Sequence, residues 1–128
     1  MDLQQYFSSH QGTGILSTAD AEGRVGTAVY ARPLVMEDGR LAMIMRERLA
    51  YRNLQQNPYA AYLFLENSPG HQGLRLYLEK VAENDNSELI QKMTRRHLSA
   101  EEDAAKGPKH IVYFQVSKIL QLIGGEEL

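Results

Sequence analysis

The sequence predicts a mainly β fold: one antiparallel sheet of about six strands, curled into a small closed or partly open barrel with short helices capping its ends. Three observations lead there. Apolar and polar residues alternate with period two in the segments between turn signals. No strand–helix–strand rhythm is present, which removes the parallel-sheet alternatives. The chain has 128 residues, 43% hydrophobic and 23% charged, enough for one core and read as a single domain over residues 1–128. Six strands in that length leave few exposed edges when the sheet rolls up.

The elements follow in order. Asp2 is placed to cap a short helix carrying Leu3, Tyr6 and Phe7 at helical spacing, with Gly12 and Gly14 as its stop. Gly14–Ala19 is the first strand, and Asp20-Ala21-Glu22-Gly23 the turn after it. Val25–Arg32 alternates as a second strand, with Pro33 marking an edge or bend because it cannot donate a ladder hydrogen bond. Glu37-Asp38-Gly39-Arg40 is a hairpin turn into a third strand, Leu41–Met45. Good helix formers fill Arg48–Gln56, and Asn57-Pro58 ends that helix.

Tyr59–Glu66 reads as a buried strand, Asn67–Gly73 as a long loop, and Leu74–Val81 as a half-buried strand with one wet or ligand-facing side. Asp85-Asn86-Ser87-Glu88 resembles a capping box with Asp85 as cap, opening a helix with Leu89, Ile90 and Met93. Ser99-Ala100-Glu101-Glu102 is a second capping box, before a short polar helix ended by Gly107-Pro108. The last strand spans His110–Leu122, and Gly124-Gly125 reads as a frayed tail.

Composition narrows the function. The formal net charge of −2 gives no basic excess for a phosphate backbone, so single-strand nucleic-acid binding by a small barrel is not expected. Zero cysteines exclude disulfides, thiolate metal sites and thiol nucleophiles. No apolar run approaches the ~18 residues that span a bilayer. The first residues are acidic and polar where a secretory signal is basic and then apolar, so a cytoplasmic location is expected.

Arg46 and Arg48 stand where a strand ends and a helix begins, where free backbone N–H groups and guanidinium forks suit a phosphate. The plainer reading is solvated pairing with Glu47 or with acidic neighbours elsewhere in the chain. Arg32, at the end of a neighbouring strand, is a second candidate that could converge with Arg46. Lys92, Arg95, Arg96 and His97 cluster in the last turns of a helix, where cations offset the dipole; contact with an anionic partner is the other reading. His10, His71, His97 and His110 show no metal-ligand spacing, and no metal site is expected. Nucleophile-elbow, Walker and GxGxxG motifs are absent from the sequence. Most of the tyrosines suit core or dimer-interface positions, with one or two able to stack on a planar ligand.

Gly14-Ile15-Leu16-Ser17-Thr18, Val29-Tyr30-Ala31-Arg32-Pro33, the strand ending Met45-Arg46, and Asn53-Leu54-Gln55-Gln56-Asn57-Pro58 leading into Ala60-Ala61-Tyr62-Leu63-Phe64 carry a family resemblance. Their order and spacing, over nearly the whole chain, resemble the pyridoxamine 5′-phosphate oxidase-related, FMN-binding split-barrel superfamily. The resemblance implies a six-stranded split barrel and a homodimer with FMN in two clefts between subunits. It places the flavin phosphate near Arg46, Arg48, Leu49 and Ala50. Ribityl and ring contacts fall at Tyr30, Ala31 and Arg32, and backbone contacts to the ring edge at Ile44 and Met45. Of the triplet that is commonly Ser/Thr-Arg-Lys in that family, Arg48-Leu49-Ala50 keeps one basic position.

The implied function is an FMN-binding oxidoreductase or electron carrier of unassigned substrate and redox partner, with no catalytic acid or base identified. The extra C-terminal segment of the biosynthetic oxidase has no counterpart after Leu128, so vitamin B6 oxidation is not expected. Two alternatives remain: a split-barrel interaction protein that has lost its flavin, and a relative using haem or deazaflavin.

Overall fold

Alternation along the strands gives one antiparallel sheet of seven strands in the computed structural model, which describes residues 1–94 and 98–128. The elements run α1 (Leu3–Ser9), β1 (Gly12–Ala19), β2 (Val25–Val29), β3 (Leu34–Val35), β4 (Leu41–Arg46), α2 (Leu49–Gln56), β5 (Tyr59–Glu66), β6 (Gly73–Asn84), α3 (Ser87–Met93), α4 (Ala100–Ala105) and β7 (Lys109–Gln121). Their order across the sheet is β2-β1-β5-β6-β7-β4-β3. Inward-facing residues, among them Leu16, Met43, Tyr62, Phe64, Leu76, Val112 and Phe114, form the main core with Leu3 and Phe7 of α1 and Leu54 of α2.

Seven strands replace the expected six because the second strand breaks. It ends at Val29 instead of continuing to Arg32, and resumes as β3 on the opposite edge of the sheet. Pro33 has no N–H to give, and the Tyr62 hydroxyl lies 3.1 Å from the carbonyls of both Tyr30 and Ala31, serving acceptors that a ladder would otherwise use. Five residue steps separate Val29 from Leu34, a reach of at most about 18 Å. The two edges of the sheet are therefore drawn together although no ladder joins them: the roll is open at a covalent seam.

Gly12 and Gly14 do not end α1; they belong to β1. A Cβ on Gly14 would lie 1.8 Å from the Tyr62 hydroxyl, so glycine is what lets that phenol reach the seam. The Asn-Leu…Asn-Pro step is also structural. Asn53 is buried and donates to Thr18 Oγ1 at 3.1 Å, tying α2 to β1. Its carbonyl accepts from Asn57 N, and Asn57 Oδ1 accepts from Tyr59 N at 3.0 Å, turning the chain from α2 into β5.

Asp2 caps α1 and Ser99–Glu102 forms a capping box on α4, both as expected. For α3 the cap is Asn86, whose side chain accepts from Leu89 N at 3.0 Å, one residue beyond the expected Asp85. The Gly124-Gly125 segment is not frayed: Leu120 bridges Glu127, and Arg75 donates to the Gly124 carbonyl. On β7 both faces are buried from His110 to Phe114, because α3 covers the outer one. There Ala42, Ile90, Ile111 and Tyr113 make a second, smaller core. Arg95, Arg96 and His97 of the expected basic cluster lie outside the described residues. Among the described residues no helix is long and apolar enough to cross a membrane.

Candidate functional site

Period-two alternation on β4 sends Leu41, Met43 and Met45 to the main core and turns Ala42, Ile44 and Arg46 outward. Those outward residues, with Tyr30, Ala31 and Arg32 of the seam, form one wall of a cleft of about 570 Å³. Leu89, Lys92 and Met93 of α3, then Leu98, Lys106 and Lys109 around α4, form the other wall. The volume falls within the range of roughly 300–1,000 Å³ typical of small-molecule sites.

The charge of this lining is one-sided. Among the described residues, Arg32, Arg46, Lys92, Lys106 and Lys109 line the cleft and no carboxylate does. Asp103, behind the wall, offsets two of the five: Arg46 Nη2 and Lys109 Nζ lie 2.6 and 3.0 Å from its Oδ1. Hydrogen bonds from Arg46 and then Lys109 hold the Asp103 carboxyl below its usual range. Arg46 also donates to the carbonyls of Gly107 at 2.6 Å and Asp103 at 3.2 Å, so it pins α4 to the sheet. Arg32 donates to the carbonyls of Phe7 at 2.6 Å and His10 at 2.8 Å, capping the C-terminus of α1. Those acceptors are neutral and leave its charge uncancelled. Lys92 and Lys106 make no ion pair among the described residues. A cationic rim beside an apolar wall suits a ligand with an anionic tail and a flat apolar body.

No family model and no curated protein matches this sequence. Solved structures do match, over nearly the whole chain. An FMN-binding protein from Syntrophomonas wolfei subsp. wolfei superposes with a TM-score of 0.75 at 19% identity, over 97% of this chain and 86% of that one. A candidate pyridoxamine 5′-phosphate oxidase from Lactobacillus delbrueckii gives 0.68 at 14% identity, over 94% and 92%. An F420 reductase gives 0.66 at 13% identity, over 90% and 94%. The fold is the split barrel.

Within this split barrel, the nine residues singled out from the sequence separate into two groups. Tyr30, Ala31, Arg32, Ile44 and Arg46 come together in the cleft. Burial raises the Tyr30 phenol above its ordinary pKa, partly opposed by the nearby Arg48 charge. The other four lie elsewhere. The Met45 side chain is in the main core. Arg48 is the N-cap residue of α2 without a side-chain cap bond, Leu49 is exposed, and Ala50 is buried under the helix. Sequence reasoning missed the opposite wall. Lys92 reads from the sequence first as offsetting the dipole of its helix, with an anionic substrate or partner as the other reading, and Lys106 and Lys109 flank a Gly-Pro helix stop that carries no functional reading. A Lys-x-x-Lys step around that stop was the available signal.

Proposed function

We propose that the cleft binds FMN and that the chain acts as an FMN-dependent oxidoreductase or electron carrier, assembled as a homodimer. The observation that carries this reading is the lining, which among the described residues has five cations, no carboxylate, and an apolar sheet wall of Ala42 and Ile44 facing Leu89 and Met93. Lys92 and Lys106 are the residues to hold the phosphate, because no internal carboxylate competes for them. Arg46 and Lys109, joined through Asp103, fix the wall on which α4 rests. Arg32 would supply a fixed positive charge to the cleft, of the kind that stabilises an anionic ligand. Bound flavin supplies hydride or single-electron transfer; the chain supplies position, water exclusion and this field.

The homodimer rests on the other outer face of the sheet. Val25 and Val29 of β2, Tyr59 of β5 and Tyr77 of β6 are 71%, 75%, 64% and 40% exposed. Register places them on one side of four neighbouring strands, with Ile15, Ala19 and Leu63 between them. Ser17, Thr27, Arg75 and Glu79 fall on the same side, so the exposed apolar side chains form a patch with polar neighbours, and such a patch fits a second copy of the chain. Arg48 and Leu49 enter the proposal only as contributions to the partner's cleft, and Ala50 leaves it, since its side chain is in the core of its own chain.

The test is titration of FMN into flavin-free protein, followed by visible absorbance and flavin fluorescence. Saturable binding at or below about 10 µM is expected, weakened at least about tenfold in a Lys92→Ala/Lys106→Ala variant. No binding at roughly 50 µM would overturn the proposal.

One observation favours a second reading, an interaction protein without flavin. Arg46 already serves three acceptors of its own chain, and Leu49 and Ala50 offer no cation. That reading expects Arg46→Ala and Arg48→Ala to leave ligand affinity unchanged. Tight FMN binding that is lost in these variants rules it out. Parallel titration with a deazaflavin separates FMN from the cofactor class suggested by the F420 reductase.

A further inference from the structure

Apart from the cleft, one buried imidazole is surrounded by three carboxylates drawn from two other parts of the chain. Glu83 and Asp85 sit two apart at the end of β6, so their side chains share a face. The β6–β7 register pairs Asn84 with Ile111, and one further step brings Asp85 opposite His110. His110 is 8% exposed. Its Nδ1 lies 2.5 Å from Asp85 Oδ1 and 4.0 Å from Glu83 Oε2, while Nε2 lies 2.8 Å from Glu47 Oε2. Tyr51 of α2 stacks on the ring with centroids 4.5 Å apart and donates to Glu83 Oε2 at 2.5 Å. Lys80 and Gln55 occupy Glu83 Oε1 at 2.5 and 2.9 Å.

Three carboxylates thus contact one imidazole, and Lys80 is the single lysine or arginine paired with them among the described residues. Both ring nitrogens donate to carboxylates in this geometry, Nδ1 to Asp85 and Nε2 to Glu47; a bound cation would take the place of the Nδ1 proton, while Nε2–H on Glu47 would keep the ring oriented. This is the carboxylate–histidine arrangement that supports metal-ligating imidazoles. The ligand atoms of Glu83, Asp85 and His110 all lie within 4.8 Å of one another.

We propose that Glu83, Asp85 and His110 Nδ1 bind a divalent transition-metal ion of the Zn²⁺ type, with Glu47 and Tyr51 as positioning residues. One nitrogen and two carboxylate oxygens suit Zn²⁺ better than Mg²⁺ or Ca²⁺, which favour all-oxygen shells. Bonds of about 2.0–2.2 Å put tetrahedral ligand atoms roughly 3.4 Å apart. Asp85 Oδ1 therefore retreats from the ring by about 1 Å and Glu83 Oε2 closes in by less than that. The Asp85 side chain is 70% exposed and free to make that move. Asp85 also lines a second cavity of about 520 Å³ between α3 and α4, which leaves solvent access to a fourth coordination position. None of these residues lines the flavin cleft, so this site stands or falls independently of the proposed cofactor.

The experiment uses the full chain without an affinity tag, stripped with a chelator and titrated with ZnCl₂ by calorimetry in a non-coordinating buffer. One ion per chain with a Kd near 1 µM is expected. Asp85→Asn is expected to weaken it at least about tenfold, and a His10→Ala/His71→Ala variant to leave it unchanged. Imidazole ¹⁵N spectra of the unaltered protein supply a readout that does not depend on any variant folding: Zn²⁺ is expected to move Nδ1 of His110. Absence of saturable 1:1 binding, undiminished affinity in a folded Asp85→Asn variant, or a shift confined to His10 or His71 would overturn the proposal.

Discussion

Along β4 and β7 the outward side chains Ala42, Ile111 and Tyr113 are buried with Ile90 of α3, and partly buried Ile44, Leu89 and Met93 pack against them. Across β2, β1, β5 and β6 the outward rows are bare, and Val25, Val29, Tyr59 and Tyr77 meet solvent. The two regions belong to one sheet and differ in where the chain keeps its spare length. The β1–β2 connection is a tight turn closed by Asp20 and Gly23, with no residues left over to fold back. The β6–β7 connection contains α3 and α4, long enough to lie on the strands that follow. Polar side chains strengthen that attachment: Arg46 and Lys109, the ends of β4 and β7, both grip Asp103 of α4. The covered face keeps a cleft between sheet and helices, and the bare one leaves apolar side chains open to solvent.

Substitutions on the two faces test this contrast, and the largest effect is expected under α3. Ile111→Ala is expected to cost about 2–5 kcal/mol in urea unfolding, as for a fully buried aliphatic side chain. Val29→Ala on the bare face should stay within about 0.5 kcal/mol for the monomer; equal losses at both positions would erase the distinction. Val29→Asp should instead weaken self-association at least about tenfold, about 1.4 kcal/mol, read by light scattering on a sizing column. A Val29→Asp protein still dimeric at low micromolar concentration would remove this face as the interface.

Smaller effects belong to the α4 attachment. Ser99→Ala removes one half of the capping box and is expected to cost about 1 kcal/mol, seen as faster amide exchange in α4. The pH response comes from Asp103. Its carboxyl is held below the ordinary value by Arg46 and Lys109, so its contribution is complete above the usual carboxylate pKa, near about 4. It disappears as pH falls through the lower, folded value. Amide exchange in α4 should accelerate over that acid interval, and Asp103→Asn should flatten the response.

Much of the fold was legible because it is written in local signals. Asp2, Ser99 and Glu102 cap as their spacing says, and the Asp38-Gly39 turn reverses the chain between Val35 and Leu41. The break after Val29 was not legible, since Val25–Arg32 alternates without interruption. It follows from the phenol of Tyr62, thirty residues away in sequence, taking the carbonyls of Tyr30 and Ala31. The site was half legible for a similar reason. Arg32 and Arg46 announce themselves at expected strand ends and Tyr30 and Ile44 enter only through the family resemblance, whereas Lys92, Lys106 and Lys109 reach the cleft only because α3 and α4 fold over β4. His110 lacked any sequence partner because Glu83 and Asp85 approach it across a ladder and Glu47 from a loop.

The Tyr30–Pro33 connection has a mechanical consequence. Where most rolled sheets are zipped by a row of peptide pairs, this one is tethered by a single strap that also supplies Tyr30, Ala31 and Arg32 to the cleft. Widening or narrowing the gap between its margins ruptures no strand pairing. The width of the pocket is therefore set by the bonds that hold the strap, from the Tyr62 hydroxyl to the Tyr30 and Ala31 carbonyls and from Arg32 to the carbonyls of Phe7 and His10, and not by a ladder.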